Sequence, residues 1–419
     1  MDMRRDSPWL ALAVLMAIST VGFIDRIVVN VLVEPIKGEF RLSDAQVSLM
    51  ATAFTALNIG AGLIIARFAE RVRRMTLISA GTLLWSAATA ACGWAAGWTQ
   101  LLAARMGVGL GEAIGLPSNQ SVISDYFPPN RRGLAISVLM LAPPIGAFIG
   151  FVGGGWTAQE FDWRFTFLIA AVPGVVLGVL AWLFVAEPPR GRHDAGAGDE
   201  VPPMREVLRR LFVLPSARHL VIGSALAATL GFGLNYFFTS LMIRKFEVGL
   251  AEAGLYSGLI ASLPAAVSVL ASGWLADRWG AKVPAAYALI PAVCLILGGP
   301  LYVLAITRDD LAALLGLVSA ATFLNFGYLG VTFAALQNLM HPRMRVTAYA
   351  VLNVVYGVAS AAGPLLLGAL SDRMAPGYGP AQGLAAAMAI GGALYVWAGL
   401  HYLWAARRLA RDTASIAGA

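Results

Sequence analysis

Charge is scarce in these 419 residues. Asp, Glu, Lys and Arg make up 13% of the chain, about half the ~25% of an ordinary soluble domain. Hydrophobic residues make up 58%, and the mean hydropathy is +0.73. A soluble enzyme, a nucleic-acid binder and a disordered scaffold are excluded as readings of the whole chain. The net charge of +7 is therefore no sign of a nucleic-acid partner. Cysteine is nearly absent. Cys92 and Cys294 lie in apolar runs and offer neither a disulfide framework nor a zinc site. His193, His219, His341 and His401 fall in loops or near helix ends, and no pair has metal-ligand spacing. No Ser-His-Asp set shares a membrane depth, so neither metal, cofactor nor enzymatic activity is expected. The P-loop pattern is missing, which argues against ATP-driven transport. Gly107, Gly109 and Gly111 follow no strand and read as helix packing.

What is present is apolar sequence in long runs, about 243 residues or roughly twelve spans at ~20 residues each. The runs are 9–33, 45–69, 75–95, 100–126, 133–155, 164–186, 218–243, 251–276, 283–306, 311–339, 346–370 and 381–405. The expected class is an all-α membrane protein with twelve transmembrane helices. Most runs exceed ~20 residues, so tilt is expected. The run after Pro8 lacks a small-residue cleavage site and reads as a retained first span.

Lys and Arg set the orientation. With the N-terminus inside, 21 basic residues fall in cytoplasmic segments and 7 outside. Both termini are then cytoplasmic, and the expected location is a bacterial inner membrane. Residues 187–217 break the rhythm: a Pro-, Gly- and charge-rich stretch reads as a linker. Met204 to Val213 within it reads as a short basic amphipathic helix at the cytoplasmic interface. The expected division is 1–186 as an N-terminal six-helix bundle, 187–217 as linker, and 218–419 as a C-terminal six-helix bundle. The halves repeat. Arg67-Phe68-Ala69-Glu70-Arg71 matches Trp274-Leu275-Ala276-Asp277-Arg278 after an offset of 207, and Pro129-Asn130-Arg131-Arg132 resembles Pro342-Arg343-Met344-Arg345 after 213. Two similar six-helix halves are a transporter architecture.

The run Gly273-Trp274-Leu275-Ala276-Asp277-Arg278-Trp279-Gly280-Ala281-Lys282 resembles the signature loop of the major facilitator superfamily. The first copy departs from it at Ala66, Glu70 and Arg73. Asp162-Trp163-Arg164-Phe165 is also similar to a superfamily pattern. A narrower resemblance is to the spinster-like branch. It is carried by Phe23-Ile24-Asp25-Arg26, by Glu34-Pro35-Ile36-Lys37 after the first span, and by Leu42-Ser43-Asp44-Ala45-Gln46. Arg105 to Ala113 on the fourth span completes it. That resemblance implies secondary transport of lysophospholipids, sphingoid lipids or related amphiphiles with proton coupling. The expected partners are such a substrate, protons and membrane lipids, with the chain a monomer.

Four charges stand inside spans: Asp25, Arg26, Arg105 and Glu112. A charge at membrane depth costs ~2.5–3.5 kcal/mol on insertion scales and defaults to a functional role. At 1.5 Å per residue Asp25, Arg26 and Arg105 reach similar depth, with Glu112 two turns further in. Asp25 and Glu112 read as proton-accepting or cation-sensing acids, and protonating one would release its Arg to an anionic substrate group. The alternative is a permanent set of buried salt bridges joining the first and fourth spans. The matching places in the second half are neutral: Asn235 and Tyr236, Asn325 and Tyr328, Asn353 and Tyr356. They read as polar-aromatic cavity lining, or else as interhelical hydrogen bonds.

Glu70 and Asp277, with Arg71, Arg74 and Arg278, sit at cytoplasmic span ends. They read as a cytoplasmic gate, the acids facing helix N-termini. Gly146, Gly150 and Gly154 form a close-packing face, and Pro143-Pro144 before them should kink the helix. The readings that compete with a lipid carrier are an organic-acid or drug transporter of the same fold and, in a different class, a non-transporting membrane sensor.

Overall fold

The computed structural model describes residues 6–69, 72–190, 203–341 and 344–417, and among these the regular structure is entirely helical. The helices are α1 (Pro8–Phe40), α2 (Asp44–Ala69), α3 (Arg74–Gly93), α4 (Trp98–Tyr126), α5 (Pro129–Leu139), α6 (Ala142–Glu160), α7 (Trp163–Phe184) and α8 (Met204–Val213). The second set is α9 (Pro215–Phe246), α10 (Leu250–Gly280), α11 (Ala286–Ile306), α12 (Leu311–Asn325), α13 (Leu329–Asn338), α14 (Arg345–Tyr378) and α15 (Pro380–Ala417).

The twelve spans account for all but the short α8. Two of them are broken. The fifth is α5 followed by α6, interrupted at Met140-Leu141, and the tenth is α12 followed by α13, interrupted at 326–328. Pro143 and Pro144 lie in the first turn of α6, where the missing N–H costs nothing. So the chain restarts a helix there where a continuous kinked one was expected.

The first span is also longer than its apolar run suggests. Glu34 to Lys37 continue α1, with Pro35 inside the helix, and Arg41 ends it in the left-handed conformation at φ 52°. Glu34-Pro35-Ile36-Lys37 is therefore the last part of the helix and not a segment after it.

Local chemistry explains the helix starts. Ser43 and Gln46 form a capping box at α2: the Ser43 N–H donates to Gln46 Oε1 at 2.8 Å, and the Gln46 N–H donates to Ser43 Oγ at 3.2 Å. Lys37 Nζ reaches across the turn to Asp44 Oδ1 at 2.5 Å. Asp162 caps α7 by accepting from the Phe165 N–H at 2.6 Å. Asp310 caps α12 through the Ala313 N–H at 2.7 Å. The connectors after the odd-numbered spans are all brief: residues 41–43, 94–97, 161–162, 247–249, 307–310 and 379.

The chain forms two compact units, residues 1–198 with 248–258, and residues 199–247 with 259–419. Helix α10 thus begins in the first and continues in the second. In the first unit α1 packs on α6 and α7, α3 on α4 and α7, and α2 on α4. In the second, α9 packs on α14 and α15, and α11 on α12 and α15. The contacts of α1, α3 and α7 in the first unit are matched by those of α9, α11 and α15 in the second.

Glycine permits the closest approaches. The Gly146-Gly150-Gly154 face lies on α1: a Cβ at Gly146 would stand 2.5 Å from Phe23 Cβ, and one at Gly150 would stand 3.1 Å from Ile27 Cβ. Gly109 and Gly111 likewise press α4 onto Phe54 of α2 and Trp85 of α3. These contacts bracket Asp25, Arg26 and Glu112.

Candidate functional site

In the first unit the four membrane charges converge, though not as two matched ion pairs. Arg26 of α1 reaches Glu112 of α4: Nε donates to Oε2 at 2.6 Å, and NH2 stands 2.5 Å from the same oxygen. The Glu112 side chain is wholly buried, while the Arg26 side chain keeps 33% of its surface. The second oxygen, Glu112 Oε1, is buried without a partner.

Asp25 is equally buried. Thr89 of α3 donates to its Oδ2 at 3.1 Å, and its Oδ1 has no partner. Arg105 does not take the Asp25 carboxylate. Its NH1 donates to the Asp25 main-chain carbonyl at 3.3 Å, and its Nε is buried without a partner. Phe54 of α2 stacks under both guanidinium groups, 5.4 Å from Arg26 and 5.1 Å from Arg105, a contact favourable to cations. Nearby, Asn119 of α4 donates to Ser19 of α1 at 2.9 Å.

The six neutral candidates of the second unit separate. Tyr328 and Tyr356 meet, the Tyr356 hydroxyl donating to the Tyr328 hydroxyl. Tyr328 is the last residue of the break in the tenth span and the N-cap of α13. Asn325 ends α12 before that break, with Oδ1 buried and unpartnered. Tyr236 is buried against Phe237, rings 5.0 Å apart, and Asn235 precedes it on α9. Asn353 is exposed and donates to the Tyr349 carbonyl of its own helix at 2.9 Å.

Among the gate candidates, Glu70 and Arg71 lie outside the described residues. Arg74 is held within the first unit. Its NH1 stands 2.5 Å from Asp125 and donates to Ser121 at 2.9 Å. Its Nε donates to Glu187 at 3.0 Å and its NH2 to the Pro188 carbonyl at 3.0 Å. Asp277 accepts from the Tyr287 hydroxyl at 2.8 Å, and Arg278 lies over the Trp274 ring at 5.6 Å.

Beyond this geometry, the Major Facilitator Superfamily profile matches residues 14–364. The chain belongs to this superfamily. Among related facilitators, an MFS-type efflux pump of Mycolicibacterium smegmatis is 29% identical over 93% of this chain and 92% of its own length. The sphingosine-1-phosphate transporter SPNS2 of Xenopus tropicalis is 26% identical over 84% of this chain and 72% of its own. The crystal structure of a bacterial homolog to the human lysosomal transporter Spinster, inward-facing and unoccupied, superposes with a TM-score of 0.88. It is 28% identical and covers 97% of this chain and 98% of that one. This facilitator is thus a multi-pass membrane transporter with spinster-like relatives.

Three facilitator features were not singled out in the sequence. Asp125, near the end of α4, is the buried partner of Arg74. Glu39, at the end of α1, joins the Asp162-Trp163-Arg164 motif: the Trp163 indole N–H and Arg164 NH1 both donate to its Oε2 at 2.7 Å. Tyr402 of α15 shares a 2.5 Å hydrogen bond with Thr332 of α13 and meets the Tyr328 ring edge-on at 6.4 Å. Asp125 and Glu39 sit at span ends, where charge is ordinary. Tyr402 lies on the last span, which the half-to-half offsets never reached.

Proposed function

We propose that this facilitator is a proton-coupled secondary transporter of an amphiphilic, anionic solute, with a lysophospholipid or sphingoid lipid as its cargo. The observation that carries the reading is the Arg26–Glu112 pair. A partly exposed Arg26 side chain is held by a wholly buried carboxylate that keeps one oxygen unpartnered. A proton arriving on Glu112 neutralises the carboxylate and frees Arg26, whose planar donors match a phosphate or carboxylate. Losing the proton re-forms the pair and expels the anion. Asp25 and Arg105 form the second acid and base of the site, and the second unit has its own polar-aromatic group in the Tyr328–Tyr356 hydroxyl pair. Alternating access would rock the halves about this site. The phosphate-bearing amphiphile in the name of the Xenopus relative supports the cargo class.

The test is lysophospholipid movement in proteoliposomes under an imposed pH gradient. Gradient-driven movement by the wild type, abolished in Glu112→Gln, is the expected result. Movement unchanged by Glu112→Gln, or by Asp25→Asn, would leave the substituted acid a structural role only. No movement by the wild type would overturn the lipid cargo.

A carrier of organic acids or drugs is the second reading, favoured by the efflux-pump relative. Intrinsic fluorescence quenched by lysolipid and not by organic acids separates the two.

A further inference from the structure

An apolar groove runs along the second unit between α9, α14 and α15, enclosing about 230 Å³. Its floor is where α9 and α14 touch through glycine: a Cβ at Gly233 would stand 2.7 Å from the Gly363 carbonyl oxygen. Leu226 and Leu230 of α9, Leu366 of α14, and Leu394 and Trp397 of α15 wall it. Thr229, its one hydroxyl, is already bonded to the Ala225 carbonyl of its own helix. Leu366, Leu394 and Trp397 are exposed, so the groove opens outward along its length.

At Trp397 the chemistry changes. One turn on, about 6 Å along α15, is His401, and the stripe continues through Trp404 to Arg408 at helical spacing. On α9, His219 lies on the face of Leu226 and Leu230, and Arg218 precedes it. The Trp397 indole can only donate, and it does so to His401 Nε2 at 3.1 Å. Neutral His401 therefore carries its proton on Nδ1, which faces His219 Nδ1 at 3.0 Å. His219 must accept there, which leaves its proton on Nε2 as a donor with no acceptor among the described residues. Arg218 and Arg408 are exposed, and neither has an acidic partner among those residues. The Trp404 ring lies tilted against the His219 imidazole at 5.4 Å and edge-on to that of His401 at 5.0 Å.

An apolar groove, an interfacial pair of tryptophans and unmatched cationic donors in line is the pattern of one lipid molecule read from tail to head. We infer that this face binds a two-chain anionic phospholipid of the surrounding leaflet, with an acyl chain in the groove and the phosphate at Arg218, His219 and Arg408. The tail needs a dry concave wall, and the head needs donors at the membrane surface. The site lies inside one half of the molecule and does not depend on the transport reading above.

Native mass spectrometry of the full chain, with equimolar phosphatidylglycerol and phosphatidylcholine, tests it. The wild type should retain phosphatidylglycerol preferentially. Arg218→Gln should lower that preference about fivefold, and Arg218→Gln with Arg408→Gln should remove most of it. Leu366→Trp, at an exposed rim position, should reduce retention of both lipids. Equal retention of the two lipids by the wild type overturns the inference, as does a preference that survives the double substitution. Retention unchanged in Leu366→Trp removes the groove from the site. Displacement by equimolar lysophosphatidylglycerol would reassign the groove to single-chain lipid.

Discussion

Arg74 holds four groups with one side chain: Asp125, Ser121, Glu187 and the Pro188 carbonyl. Removing it takes the cation from two acids that are themselves largely shielded. Breaking a buried pair from one side costs about 3–5 kcal/mol. Arg74→Ala should therefore lower the thermal midpoint in detergent by several degrees. Arg74→Lys should recover only part of the loss, because a point ammonium cannot reproduce a planar fork aimed at separated acceptors. Fluorescence-monitored unfolding checks both. At this scale the sequence was legible where charge was out of place. Asp25, Arg26, Arg105 and Glu112 announced themselves by standing in apolar runs, and Arg26 and Glu112 do meet. Arg74 was visible as a charge, but its partner was not. Asp125 is 51 residues away, and no helical period links a residue to another that far along the chain. Nor could spacing reveal that Arg105 would choose a main-chain carbonyl over the adjacent carboxylate.

Helices α1 and α6 approach through glycine, and that contact can be tested as a unit. Gly150→Val would place branched carbon against Ile27 Cβ and the Ile24 carbonyl, positions that a Cβ already meets at 3.1 and 3.2 Å. Neither neighbour is the free end of a flexible chain. Overpacking of this kind costs about 1–3 kcal/mol, and the displaced α1 carries Arg26 away from Glu112. Lower thermal stability together with reduced transport is expected, and unchanged values of both would show that the contact yields. The glycine period was readable because small residues every fourth position mark a close helix contact. The breaks were less so. Pro143-Pro144 advertised a disturbance in the fifth span, although it begins a new helix and does not bend an old one. The interruption at 326–328 carries no proline. Its place is marked only by Gly327, where a Cβ would stand 3.0 Å from Cys294 Sγ. That crowding belongs to α11 and cannot be read from the tenth span alone.

For the whole molecule, the number of spans and their division into two similar sets followed from apolar run length and from the repeated Asp/Glu-Arg loops. The contacts of α9, α11 and α15 repeat those of α1, α3 and α7. The start of α10 was not foreseen. Residues 248–258 belong with the first unit because Gly155 and Gly254 allow their helices to touch, and the Gln159 side chain accepts from the Ala251 N–H at 2.9 Å. The distribution of basic residues, 21 against 7, makes a further prediction. A green fluorescent protein fused after Ala419 should fluoresce, because it folds on the cytoplasmic side, whereas alkaline phosphatase at the same position should be inactive. The opposite pair of results would invert the assigned orientation.

The connectors after the odd-numbered spans run from one to four residues, and both ends of the first are tied, by Lys37 to Asp44 and by the capping box. So little loose chain has a practical meaning for that face. A protease finds no extended stretch to grip there, and an antibody meets only helix ends. An epitope inserted at 41–43 would have to break an ion pair and a cap together. With no loop to preselect solutes, discrimination among them falls to side chains within the helices.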